Sequence, residues 1–329
     1  MTRLDAKLAR ILAGQYRPSD FIIADAKDPD MGPSITSCGP HRGRDGSYTR
    51  NRTRAEFLDQ IRAIVRQDIL DVMLVSASNL EVLSREGLFQ DSAIKPAIRA
   101  NDTTDIWVMR GATYNRHPSR PFRSADLARV RPYTDLGLYS VTFNHDIDAD
   151  IASLTAFAAF RADVAANGFT YFLEVFNPNV PTGIAPEMLP FYINDCIARC
   201  LAGVVAADRP RFLKIAYNGP KALEELASYD PSVVVGVLGG GAGTTRDTFE
   251  LLAQSERYGA RVALFGRKIN LAESPLAIVA LMREVASHNL TPDEAVRAYH
   301  AELAGAGIRP TRTLEDDNAI TEAVLKTAA

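Results

Sequence analysis

The feature that most constrains this chain is a repeated alternation of two kinds of segment. Short runs rich in β-branched and apolar residues are each followed by a longer stretch with helical spacing. The runs read as strands are 21–25 (FIIAD), 72–76 (VMLVS), 105–109 (DIWVM), 138–143 (LYSVTF), 170–176 (TYFLEVF), 211–216 (RFLKIA), 232–238 (SVVVGVL) and 261–265 (RVALF). Several are apolar on both faces, as strands of a parallel sheet covered by helices on each side must be. Helix starts between them carry capping chemistry. Thr53 and Glu56 have capping-box spacing, Ser274 precedes Pro275, and Thr291 is followed by Pro292, Asp293 and Glu294. Eight strands alternating with helices predict an α/β fold of the (β/α)8 TIM barrel type, against an open doubly wound sheet, for which no switch point is visible.

The expected organisation is a single barrel domain over 1–329, with an N-terminal helix, a long basic loop at about 26–53 and a C-terminal helical tail from Pro310 onward. The loop follows the first strand, which puts it on the face where barrels carry their sites. It holds Arg42, Arg44, Arg50 and Arg52, with Arg54 at its edge. Two readings stand: a basic lid over an anionic substrate, or a solvated or subunit-contact loop. A second basic stretch occupies 113–132.

Composition removes several function classes. The net charge of −3 gives no general attraction to nucleic acid or to an anionic membrane. The N-terminal MTRLDAKLAR has no signal-peptide core, and no run of about 18 apolar residues occurs. The three cysteines, Cys38, Cys196 and Cys200, fit a reduced protein better than a disulfide scaffold. A cytoplasmic protein is expected, with no nucleic acid or membrane partner.

The chemistry is expected at charged residues embedded in apolar strands. Lysine is scarce, seven residues among 37 basic ones, and Lys214 lies inside RFLKIA. Alternation groups it with Phe212 and Ala216. If that side faces the lumen, the amine is confined where the neutral form is easier to reach, and a neutral amine attacks carbonyl carbon to form a Schiff base. A lysine snorkelling out at a strand end is the other reading. Glu174, in TYFLEVF, needs a partner or a role, either as a proton shuttle or as an ion-pair partner that orients Lys214. Asp25 closes the first apolar run and is followed by Lys27 and Asp28. A carboxylate there is placed to bind a substrate hydroxyl or pair with the catalytic lysine, or is an ordinary turn residue.

The last two strands end in glycine turns, VLGGGAGTT from Val237 and FGRKI from Phe265. Such turns let backbone N–H groups approach a phosphate, and Gly239, Gly240, Gly241, Gly266 and Arg267, with Lys27, are the expected substrate- or phosphate-binding residues. The alternating Asp146, Asp148 and Asp150 lack the Gly and Glu of a calcium loop, since Ile151 and Phe157 stand there, and read better as an acidic helix start.

The strings FLKIAYNGPKAL, LEVFNPN, VLGGGAG, FGRKI and FIIADAKD resemble, in strand order over about 20–285, the archaeal-type class I fructose-bisphosphate aldolases and their tagatose-bisphosphate and deoxyribose-phosphate relatives. The chain departs from them in its fourth strand, which lacks the lysine of the tagatose branch, in its fifth, which lacks a tyrosine-arginine string, and in its longer first loop. The resemblance implies a (β/α)8 barrel and a carbon–carbon lyase with neither cofactor nor metal. It implies Lys214 as the Schiff base, Glu174 as proton shuttle and Asp25 as substrate ligand. The partner would be a phosphorylated sugar or keto substrate, and a homo-oligomer is expected. The rival expectations are a metal-dependent lyase or isomerase using His145, Asp146 and Glu174, and a non-catalytic sugar-phosphate sensor.

Overall fold

The computed structural model describes residues 2–43, 45–102, 108–241 and 243–326, the side chain of Ser37 excepted. Its centre is a closed barrel of eight parallel strands: β1 (Ile22–Lys27), β4 (Val72–Val75), β5 (Lys95–Arg99), β6 (Leu136–Thr142), β7 (Thr170–Phe176), β8 (Leu213–Ile215), β9 (Gly236–Leu238) and β10 (Val262–Phe265). Consecutive barrel strands are neighbours, and β10 pairs with β1 to close the ring. Helices stand between them, so this is the TIM barrel. The predicted caps form. Thr53 and Thr291 make capping boxes at the helices Arg54–Gln67 and Pro292–Gly305, and Ser274 caps Pro275–Ala286. Asp146 caps Ile147–Ala166, which accounts for the aspartate run.

One strand differs from its expected place. The third barrel strand is β5, residues 95–99. Of the run expected at 105–109, residues 105–107 lie outside the described residues, as does Arg44, and Val108 and Met109 lie in a turn. β5 reads KPAIR, so a charged residue and a proline hide its start. The proline is tolerated because it sits at the second position of a short strand. Register with β4, from Val72↔Lys95 to Val75↔Ile98, fixes the assignment.

Alternation sorts each strand into an inner and an outer face. The lumen is filled by Ile22, Ala24, Val72, Leu74, Ala97, Leu138, Phe172, Phe212, Val262 and Leu264, while Ile23, Met73, Ile98, Tyr139, Leu173 and Phe265 pack outward against the helices. The N-terminal helix Arg3–Leu12 closes the floor. Its Leu4 and Leu8 join the lumen cluster, and Lys7 is buried 2.9 Å from Asp71, which also meets Arg283 at 2.7 Å. Leu8→Ala is expected to lower the unfolding free energy by about 2–5 kcal/mol in urea titrations, because the floor has little to collapse into the space left behind.

The long loop after β1 is structured. Two 3-10 turns (Pro29–Met31 and Ser34–Cys38) lead into a hairpin of β2 (Pro40–Arg42) and β3 (Tyr48–Asn51). Its arginines are largely used within the protein. Arg50 binds Glu56, Arg52 donates to the carbonyls of Cys38 and Asn270, and Arg54 donates to Asn79. Among the described residues the C-terminal tail forms the short helices Leu314–Asp317 and Ala323–Lys326. Among the described residues no helix is long and apolar enough to cross a membrane.

Candidate active site

Parallel register sets three inward side chains in one row. Ser140 on β6 lies opposite Glu174 on β7, and Glu174 lies opposite Lys214 on β8. Each stands two positions after an inward apolar residue: Leu138, Phe172 and Phe212. Phe172 and Phe212 stack beneath the row with ring centroids 4.6 Å apart and planes 17° from parallel. Lys214 is 5% exposed and Glu174 1%, so the pair is shut off from solvent on the floor side.

The Nζ of Lys214 lies 2.5 Å from Oε1 of Glu174. Oε2 of Glu174 accepts from the Ser140 hydroxyl at 2.7 Å and from Nη2 of Arg99 at 3.1 Å. Burial by itself would raise the Glu174 carboxyl. The neighbouring Lys214 and Arg99 cations and the hydrogen bonds from Lys214 and Ser140 outweigh it and hold the carboxyl below the usual glutamate range. The resting site is therefore a carboxylate held between two cations.

Arg99 extends the network to β1. Its Nε meets Oδ2 of Asp28 at 2.5 Å, and its Nη1 donates to Ser140 at 2.9 Å. Asn101 braces β6 in turn, accepting from Ser140 N at 2.6 Å and donating to its carbonyl at 2.9 Å. Arg99, Ser140, Asn101 and Asp28 are absent from the sequence-based set. Ser140 and Thr142 alternate with apolar residues in LYSVTF, a signal of an inward polar row. Arg99 was hidden by the displaced third strand.

Asp25 and Lys27 require a correction. Ile22, Ala24 and Ala26 take the inner face of β1, so Asp25 and Lys27 point outward between barrel and helices. Both are fully buried. Lys27 lies 3.2 Å from Oδ2 of Asp25 and donates to Oδ1 of Asn270. Burial pushes the Asp25 carboxyl up to about 6 despite the Lys27 charge, and lowers Lys27 in turn. Asp28, just past the end of β1 and one alternation step beyond Ala26, is the carboxylate that reaches the Lys214–Glu174 network through Arg99. Asp25→Asn is expected to destabilise the fold by about 3–5 kcal/mol, as loss of one partner of a buried pair does. Trapping of carbonyl compounds at Lys214 should be unchanged, and mass spectrometry of reduced adducts beside a denaturation curve separates the two effects.

The glycine turns follow β9 and β10, the next two strands of the ring after the Lys214 strand. Gly239 is pressed against β10, where an added Cβ would lie 2.9 Å from the Cα of Phe265, and Gly240 takes a left-handed φ of 65°. Arg267 bridges the turns by donating to the Gly240 carbonyl at 2.8 Å. Gly266 sits over β1, where a Cβ would meet the carbonyl of Ala26 at 3.0 Å. The residues of the metal-dependent alternative are not brought together. His145 contacts the Thr182 carbonyl, Asp146 caps its helix, and no group of three or more His, Cys, Asp or Glu among the described residues is placed to hold a metal ion.

No protein-family model matches the sequence, and no curated protein matches it. Solved structures do resemble it. A fructose-bisphosphate aldolase from Slackia heliotrinireducens superimposes with a TM-score of 0.65 at 12% identity, covering 91% of this chain and 90% of that one. An archaeal fructose-1,6-bisphosphate aldolase, solved with its catalytic lysine covalently bound to the carbinolamine intermediate of its substrate, gives 0.62 at 15% identity over 86% of this chain and 99% of that one. A Schiff-base-forming fructose-1,6-bisphosphate aldolase gives 0.62 at 14% identity with the same coverage. The chain thus has the fold of the class I Schiff-base aldolases.

Proposed function

We propose that this protein is a class I aldolase-type lyase that makes or breaks a carbon–carbon bond beside a ketone through a Schiff base on Lys214. The observation that carries the reading is the enclosed Lys214–Glu174 pair at 2.5 Å in the barrel lumen, the carboxylate braced by Ser140 and Arg99. An amine adjacent to a proton acceptor, buried in a low-dielectric lumen, is the equipment for iminium chemistry. The likeness in fold to enzymes that act on sugar phosphates points to a polyhydroxylated keto compound, in free or phosphorylated form.

Glu174 takes the ammonium proton, and the neutral amine attacks the carbonyl carbon. The resulting carbinolamine oxygen receives that proton and leaves as water, giving the iminium. Glu174 then accepts the proton of the hydroxyl β to the iminium carbon. The bond between the α and β carbons breaks, its electron pair passes into the enamine, and the β carbon departs as an aldehyde. The enamine carbon is protonated, water hydrolyses the iminium, and the second product leaves with the amine restored. Neutralising Lys214 removes the strongest of the influences holding Glu174 low, so the carboxylate becomes a better base when the step requires one.

The test is borohydride reduction in the presence of a panel of ketoses, ketose phosphates and other hydroxylated ketones, followed by peptide mass mapping. The expected result is a substrate-dependent adduct on Lys214. Absence of adduct across the panel overturns the reading.

A further inference from the structure

Many (β/α)8 barrels receive a phosphate at the loop after the seventh strand, and in this chain carboxylates reach the turn after β9, although Lys268, Arg42 and Arg312 lie around it too. The helix Thr245–Arg257 that follows has its first donors taken: Thr244 N binds Oδ2 of Asp247 at 2.9 Å, and Thr245 N binds Oδ1 of Asp317 at 2.8 Å. Glu322, from the C-terminal tail, lies directly over the glycines. A Cβ on Gly240 would stand 3.5 Å from its Oε2, and one on Gly241 3.6 Å from its Oε1. The buried Lys268 ammonium, 3.7 Å from Glu322, donates to the Thr244 carbonyl.

The tail is fixed in this position. Thr321 donates to Asp247 through both N and Oγ1, at 2.8 and 2.5 Å, and the Glu322 N–H adds a third contact at 3.2 Å. Thr244 donates to the Ala319 carbonyl at 2.8 Å, Gln254 donates to that of Leu325 at 2.9 Å, and the Leu325 side chain is fully buried. A segment held by this many contacts is fixed, and its carboxylate stays over the turn.

We infer that Glu322 is a specificity residue that excludes a phosphate from the turn after β9 and selects a substrate whose corresponding end carries hydroxyl groups. A hydroxyl can donate to the Glu322 carboxylate. A phosphate dianion would face it at close range with the Thr245 and Asp247 N–H groups already engaged, and like charges so placed repel strongly. The inference rests on the lyase reading for its substrate, but the exclusion of phosphate is a property of the turn itself.

Two measurements test it with the full chain and Glu322→Gln. The variant retains the Glu322 backbone contact to Asp247, and circular dichroism checks that it folds. In calorimetric titration with inorganic phosphate, the wild type is expected to show no binding and the variant to gain it. In borohydride trapping of a free ketose against its terminally phosphorylated counterpart, the wild type is expected to favour the free sugar. The substitution should shift that preference toward the phosphorylated one by about tenfold or more. Phosphate binding by the wild type at the turn, or a preference that Glu322→Gln leaves unchanged, overturns the inference. Should neither sugar be trapped while the variant still gains phosphate binding, the lyase reading fails and the exclusion stands.

Discussion

Lys214→Arg is expected to abolish the borohydride-trapped adduct and to lower carbon–carbon cleavage by at least roughly 10³-fold, as removal of a covalent nucleophile does. The choice of arginine matters. A guanidinium stays charged and does not attack carbonyl carbon at any pH the fold tolerates. It can still neutralise Glu174, whose Oε1 is 2.5 Å from the native amine. Loss of fold is therefore a poor explanation for loss of activity in this variant, and its denaturation midpoint should stay near that of the wild type. Cleavage within tenfold of wild type, or an adduct that persists on another lysine, would remove Lys214 from the reaction.

Glu174→Gln should act on both rate and stability. A displaced proton acceptor lowers kcat by about 10²–10⁴-fold. Removing one charge from a buried ionic network costs about 3–5 kcal/mol, because Arg99 and Lys214 lose the carboxylate between them. The pH dependence gives a third reading. Burial raises the folded carboxyl, but Lys214 and Arg99, with hydrogen bonds from Lys214 and Ser140, outweigh it and hold the group below the unfolded value of 4.5. Its contribution to stability is thus fully present above that value and is lost as pH falls toward the folded one. Urea titrations across the acid range should show this loss in the wild type and a shallower slope in Glu174→Gln. A variant with unchanged acid-side slope and unchanged kcat would reduce Glu174 to packing.

The barrel was largely legible in the chain because buried parallel strands are apolar on both faces, and seven of the eight runs overlap a barrel strand. β5 escaped because Lys95 and Pro96 carry no strand signal, and the third barrel strand is expected instead in the apolar DIWVM a few residues later, whose first three residues lie outside the described ones. Lys214 and Glu174 stood out as charges inside apolar strands, and the structure places them side by side. Asp25 shows where such reading loses precision. The apolar run ends at Asp25, but β1 continues to Lys27, and one step along a pleated strand exchanges lumen for outer face. Alternation from Ala24 would have favoured Asp28. The glycine turn was visible as a turn, but its acidic lining was not. Thr321 and Glu322 reach Asp247 across more than 70 positions of sequence, and no local window contains both.

The stacked Phe172 and Phe212 lie one inward step below Lys214, and Leu4 and Leu8 of the N-terminal helix belong to the same lumen cluster. If an iminium formed there lies with one π face on that hydrocarbon floor, only its other face is free to react. An incoming aldehyde would meet the enamine only from the open side, so condensation should yield a single configuration at the new bond. Handedness in the product would then trace to a pair of phenyl rings that take no part in the reaction.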